Sequence, residues 1–410
     1  MRITSNRLSA IAVAIAVTML SAGCGATIAG SAVPGATSVD LDYLRPGPFK
    51  NEPTPFEFSW NPTTDPSKSI QLIEARRMLS HLLHPFDIDP ELTIPGVTKI
   101  FADDISMPST GGLGEEYRTP LRFNLNFIGG VSTSKSNGSV RSPKELAVAV
   151  LQFATDSESV RIADDFQRIT LANGPRTAIE ISGAIGIRAS KDENNTVRLW
   201  VPHDKYLVWV KFDNSATDLE GAVATARRSV AQQIEMIDRF VPRPLDDVLN
   251  EPLDPTNIMR RAAIRDTRDS SGANYYFEDF GTFEPAGILH FVRNPVETRK
   301  KFEETGVDLI GRRASTVYRT RDLASAFQLQ TFFARPGKND IVLRPPAGIA
   351  DAQCLRLDVE DASRKYDSLC AVVFDRYVAV VTANSISSGE IEGGLQERTA
   401  AQYAILKKCG

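Results

Sequence analysis

The sequence predicts an α+β protein: two related repeats, each an antiparallel sheet covered by helices, behind a signal peptide and a flexible tether. Three observations carry that prediction. Strand pairs joined by tight polar turns recur, amphipathic helical runs flank them, and the same series stands on either side of a Pro-rich stretch, Val241 to Pro255.

The first element is an export signal, residues 1–23. Arg2 and Arg7 are the only charges before Asp40, and Leu8 to Leu20 is an apolar run of 13 residues. That length suits a signal-peptide core and is short for a spanning helix, which needs roughly 20 apolar residues. Ser21, Ala22 and Gly23 then lead to Cys24. Small side chains let a peptidase hold an extended segment, and the residue after the cut is a thiol. The run resembles the bacterial lipobox, with Leu20 one place earlier than usual. Acyl chains on Cys24 are therefore expected to hold the chain on the outer face of the cytoplasmic membrane, each buried CH₂ contributing roughly 0.8 kcal/mol.

Residues 24–64 are rich in Gly, Ser, Thr and Pro and read as a tether. The first repeat is expected over 65–243 and the second over 244–410. Asp65-Pro66-Ser67 opens SIQLIEARRML and Asp254-Pro255-Thr256 opens NIMRRAAI, each an N-cap acid followed by proline. Ser142 to Glu145 reads as a capping box opening the helix ELAVAVLQFA, matched by Arg321-Asp322 before LASAFQLQTFF. Leu199 to Tyr206 runs parallel to Cys370 to Tyr377: strand, acid-plus-base turn, aromatic, then LVWVKF or VAVVTA. A closing helix follows each hairpin. The first carries Leu219, Val223, Ala226, Val230, Ile234 and Ile237 on one face; the second runs from about Glu390 to Lys408. One helical layer over one face of each sheet is expected, although VAVVTA and LVWVKF bury more than one face requires.

A composition that is 42% hydrophobic with 20 Phe implies a packed core. The formal net charge of −4 is spread along the chain, and no basic cluster of the kind nucleic acid needs is present. Beyond Cys24 the cysteines are Cys354, Cys370 and Cys409. Outside the cytoplasm a disulfide is the default. Cys354 and Cys370 flank a strand–turn–strand run centred on Ala362, so a hairpin sets them opposite each other and Cys354–Cys370 is the expected pair. Cys409 is left free or competes for one of them. No CxxC or Cys/His metal spacing occurs.

The search for chemistry finds no G-x-S-x-G, H-E-x-x-H, phosphate loop or dinucleotide fingerprint, so no catalytic, metal or cofactor residues are assigned. His81 and His84, at i and i+3, could share a metal on one face, but a helix C-terminus favours such residues anyway. His203 reads as a turn residue and His290, in GILHFVRNP, as a core or edge histidine on an apolar strand. Asp103-Asp104 and the pairs Arg260/Arg261 and Arg312/Arg313 read as solvated faces or local pairs rather than sites. Asn294 to Gly306 reads as a capped helix. Trp60, Trp200 and Trp209 read as core.

Phe283 to Phe291, Phe302 with Gly306-Val307-Asp308, Val317-Tyr318-Arg319, Ala400 to Tyr403 and His84 to Pro90 together resemble a family. It comprises the large, mostly uncharacterised envelope lipoproteins of mycobacteria, nocardiae and rhodococci, built on a domain of unknown function with a distinct C-terminal part. The resemblance implies a lipid-anchored envelope protein and supplies no activity; His290 falls at a motif position. The expected function is non-enzymatic binding, at the cleft between the repeats, of a small apolar ligand or an envelope protein. The alternatives are an envelope hydrolase or transferase with a dispersed site, and a purely structural envelope component.

Overall fold

Two tight turns set the frame. In each an aspartate takes the left-handed conformation, Asp204 with φ 47° and Asp375 with φ 51°, which short polar side chains tolerate better than most. They join the paired strands anticipated from the sequence, Val197–His203 to Tyr206–Asn214 and Ser368–Phe374 to Tyr377–Ala383. The computed structural model describes residues 38–55, 66–102, 113–122, 124–181, 186–214, 218–244, 246–247, 254, 256–264, 280–361, 366–384 and 393–410. The expected signal peptide with Cys24, Trp60 and Asp103-Asp104 lie outside the described residues.

Each hairpin belongs to a seven-stranded antiparallel sheet. The first contains Ile94–Phe101 (β1), Phe127–Ser136 (β2), Lys144–Phe153 (β3), Arg176–Ala178 (β4), Arg188–Asp192 (β5), Val197–His203 (β6) and Tyr206–Asn214 (β7). The second contains Gly281–Phe283 (β8), Leu309–Arg312 (β9), Ser315–Arg319 (β10), Ile341–Leu343 (β11), Gln353–Arg356 (β12), Ser368–Phe374 (β13) and Tyr377–Ala383 (β14). The orders are β1-β2-β3-β7-β6-β5-β4 and β8-β9-β10-β14-β13-β12-β11. Strand for strand they are the same, so the chain is an internal duplication at the level of topology.

The helices are Pro66–Met78 (α1), Pro85–Ile88 (α2), Asp156–Ala172 (α3), Leu219–Ile237 (α4), Pro285–Ile288 (α5), Pro295–Thr305 (α6), Leu323–Phe333 (α7) and Gly393–Cys409 (α8). Thr155 caps α3, Asp218 caps α4 and Asp322 caps α7 by accepting a backbone N–H. Gly306 closes α6 in the left-handed conformation, φ 62°. By position in the topology α3 corresponds to α7, and α4 to α8.

Both faces of each sheet are covered. In β3, Leu146, Val148 and Val150 join a core containing Ala222, Ala226 and Val230 of α4. Ala147, Ala149 and Leu151 join a second core containing Ile162 and Phe166 of α3 with Trp200 and Trp209. In the second sheet Tyr318, Ala371 and Val373 share a cluster with Ala326 and Leu329 of α7, while Val317, Val372 and Ala379 share one with Ala400 and Tyr403 of α8. Helices on both sides explain why these strands lack strict alternation.

Three expectations are corrected. The run Lys144–Phe153 is a central strand, not a helix. Its neighbours β2 and β7 take its backbone hydrogen bonds, and apolar residues on successive positions suit a strand buried on both sides. The helix expected after Asp254 is a single 3-10 turn, Met259–Arg261. The tether is shorter than expected: residues 38–55 lie on the second repeat. Val39 and Leu44 are buried, Arg313 donates to the carbonyls of Thr54 and Pro55 at 2.8 and 3.1 Å, Lys407 donates to Val39 O, and the Arg398 guanidinium lies over the Phe49 ring.

A buried glutamine in each closing helix clasps the start of its own repeat. Gln233 accepts from Leu83 N and donates to His81 O, both at 2.8 Å. Gln402 accepts from Ala263 N and donates to Arg261 O, both at 2.7 Å. The 3-10 turns Leu79–His81 and Met259–Arg261 therefore correspond, and α1 has no counterpart of equal length in the second repeat among the described residues.

Candidate binding site at the seam between the repeats

Pro85 and Pro285 each start a short helical turn, and the second of these packs on the 3-10 turn Leu79–His81 where the repeats meet. Both repeats lie in one compact unit. Leu79 and Leu82 of the first share a core cluster with Ile288, Leu289 and Phe291 of the second. Gly287 fits closely there, since a Cβ would come within 3.3 Å of Ser80 Oγ. Arg299 of α6 makes a bidentate pair with Asp87 at 2.7 and 2.9 Å and lies 4.5 Å from the Phe86 ring centre. The Arg76 guanidinium covers Phe283. The described part of the seam is thus filled by side chains, where an open cleft was expected.

At its centre the imidazoles of His84 and His290 stack, ring centres 4.1 Å apart at 25°. Both are 2% exposed. His290 is on a 3-10 turn, Leu289–Phe291, rather than the strand expected: Pro285 favours a helical start and the turn packs on Leu79. Its Nε2 lies 3.2 Å from Leu79 O. A carbonyl can only accept, so Nε2 carries the proton and Nδ1 the lone pair. Thr98 Oγ1 donates to His290 O at 3.4 Å.

Lys135 of β2 completes the group. It is 0% exposed, on the strand face shared with Val131 and Thr133. Burial pushes the ammonium down to about 8. Burial first, then the Lys135 charge, pushes His290 down to about 3. His84 is held well below its usual range by burial, then by His290, Arg299 and Lys135. Near neutral pH the seam holds one ammonium and two neutral imidazoles. Among the described residues Lys135 Nζ, His84 Nδ1 and His290 Nδ1 have no hydrogen-bond partner. A buried unpaired polar group costs about 1–3 kcal/mol, and a charged one more. The arrangement offers donors from an ammonium beside a lone pair on His290, which suits an acidic group that also carries a hydrogen.

The other sequence candidates are scattered. His81 Nδ1 bonds Met236 O at 3.2 Å, so His81 and His84 do not converge, and no group of three or more metal-binding side chains occurs among the described residues. His203 Nε2 is 2.6 Å from Asp238 Oδ1 at an exposed turn. Cys354 and Cys370 form a disulfide between directly opposed positions of β12 and β13. Cys409 is free. Trp200 and Trp209 are fully buried. Of the arginine pairs, Arg260 is exposed, but Arg312 and Arg313 are 1% and 9% exposed and form no solvated face. Arg312 covers Phe291 and Arg313 holds residues 54–55, while Arg261 lies 4.4 Å from the Tyr377 ring centre. Lys135 went unnoticed in the sequence, because one lysine in a polar strand edge, STSKS, carries no local signal.

Residues 61–253 match the family model for the N-terminal domain of DUF7373, a domain of unknown function, and residues 258–409 match the model for its C-terminal domain. The chain belongs to the DUF7373 family. Both DUF7373 domains are present, in order, and each contains one of the two sheets. No curated protein matches the chain. Among solved structures the chain is similar to the extracellular domain of PknH from Mycobacterium tuberculosis, at 10% identity and a TM-score of 0.30, over 40% of this chain and 97% of that one. Among the described residues no helix of this DUF7373 protein is long and apolar enough to cross a membrane.

Proposed function

We propose that this protein is an exported cell-envelope lipoprotein, acylated on Cys24, that binds a small ligand with an acidic group at the seam between its repeats and does not transform it. The observation that carries the binding role is Lys135: a fully buried ammonium without a partner among the described residues, beside two imidazole nitrogens in the same condition. Buried charges are ordinarily paired, and a ligand carboxylate or phosphate would supply the pair. Because the seam is packed, the ligand enters when the repeats part locally, and the Arg299–Asp87 pair and the stacked histidines are the contacts that give way. The anchor and the mycolate-type envelope setting rest on the Leu8 to Cys24 signal and on the resemblance to lipoproteins of mycobacteria, nocardiae and rhodococci.

Two measurements test this. Native mass spectrometry of protein purified from its membrane should show a bound acidic small molecule, absent from Lys135→Met. A bare protein in both preparations overturns the binding role. Cys24→Ser should move the protein out of the lipid fraction and leave its first 23 residues attached; unchanged fractionation would remove the anchor.

A further inference from the structure

The duplication allows each surface of one repeat to be compared with its twin. The twin glutamines Gln233 and Gln402 align α4 with α8, so Arg228 corresponds to Glu397, Ala231 to Ala400, Ile234 to Tyr403 and Asp238 to Lys407. The sheets align independently. Arg188 pairs with Trp200 and Gln353 with Ala371, and both partners stand three residues before their aspartate turn's first strand end, His203 or Phe374. Ile187, just ahead of β5, is therefore the twin of Ala352, just ahead of β12.

In the second repeat the space between α8 and the approach to β12 is filled by residues 38–55. Leu44 clusters there with Ile349, Ala352, Ala400, Tyr403 and Ala404, and a Cβ at Gly348 would lie 3.1 Å from its Cδ2. In the first repeat the same space is an open groove of about 510 Å³, walled by Ile187, Ala224, Ala231, Ile234 and the arginines 227 and 228. Ala400 is 2% exposed under its cover, whereas its twin Ala231 is exposed.

We infer that this groove on α4 is a docking socket for a short segment of a partner protein, bearing a large apolar anchor next to acidic residues. The apolar anchor follows from the occupant of the twin socket, where Leu44 comes directly after the 3-10 turn Leu41–Tyr43. The acidic character follows from the wall, where Arg228 replaces Glu397 beside Arg227. A second copy's own residues 38–55 fit poorly, because the charges that receive them are reversed: Lys407 becomes Asp238 and Glu397 becomes Arg228. Arg228 also holds Ile88 O at 2.7 Å, which fixes the guanidinium on the groove wall.

The test is selection of phage-displayed random peptides on the purified folded chain, followed by fluorescence anisotropy with the enriched sequences as synthetic peptides. The enriched peptides should share a large apolar residue flanked by Asp or Glu. Their affinity should fall at least tenfold on Ala231→Trp, which fills the groove, and on Arg227→Glu, an exposed position whose substitution leaves the core intact. Arg227→Lys should keep most of it. Failure to enrich, or binding indifferent to both Ala231→Trp and Arg227→Glu, overturns the socket. Tight binding of a labelled 38–55 peptide, lost on Ala231→Trp, overturns the partner in favour of a second copy. The groove is separate from Lys135 and the seam, so either result leaves the ligand reading of the seam untouched.

Discussion

Replacing Lys135 by methionine should raise the melting temperature of the ligand-free protein at neutral pH by several degrees. The ammonium is fully buried, and methionine fills much the same volume without a charge. The pH dependence identifies the cause. Burial lowers the group from 10.5 in the unfolded chain to about 8 in the folded one. Below pH 8 both states hold the proton, and the folded state bears the whole cost of the buried charge. Between about 8 and 10.5 the unfolded state binds more protons than the folded state, so folded stability rises with pH. The total across the window is on the order of 3 kcal/mol. The advantage of Lys135→Met should accordingly be largest below pH 8 and shrink by pH 10. A variant less stable than the parent at every pH would mean that Lys135 already has a satisfying partner, and the seam would lose its reason to bind an anion.

Acid should destabilise the protein through the stacked histidines. His290 is lowered to about 3, first by burial and then by the charge of Lys135, and His84 moves the same way. Between pH 6.5 and 3 the unfolded state takes up protons that the folded seam refuses. Stability contributed by the neutral imidazole is complete above 6.5 and is lost as pH falls, to the extent of about 5 kcal/mol for His290 alone. His290→Gln keeps an N–H near Leu79 O and removes the titration. Its acid unfolding, followed by fluorescence of the buried Trp200 and Trp209, should begin at lower pH than in the parent and take up fewer protons. Equal midpoints and equal proton uptake would show that the imidazole is not buried neutral. Lys135 and Arg299 add positive charge around the pair, and Asp87, already engaged by Arg299, supplies little relief.

What could be read from sequence was what neighbours along the chain decide. The turns at Asp204 and Asp375 declare themselves by an acid where only a left-handed residue fits, and α4 by the spacing of its apolar face. Cys354 and Cys370 could be matched because a hairpin's register is local. The run ELAVAVLQFA could not be placed this way. It is apolar at nearly every position, and only its seat between β2 and β7, with α3 and α4 on opposite faces, makes it a strand. Arg312 was misjudged for a similar reason: Phe291, which it covers, is brought beside it by the fold. The seam was beyond local reading altogether. His84, Lys135 and His290 are far apart in the chain, and each stands in an unremarkable setting.

The glutamine clasps have a bearing on when the molecule can fold. Gln233 reaches back to residue 81 and Gln402 to residue 261, across sequence separations of 152 and 141. Each half thus stays unlocked until almost its last turn has been synthesised, and closures over such distances are slow. The export proposed above calls for an open chain, and this delay leaves each clasp undone while its own half is still being made.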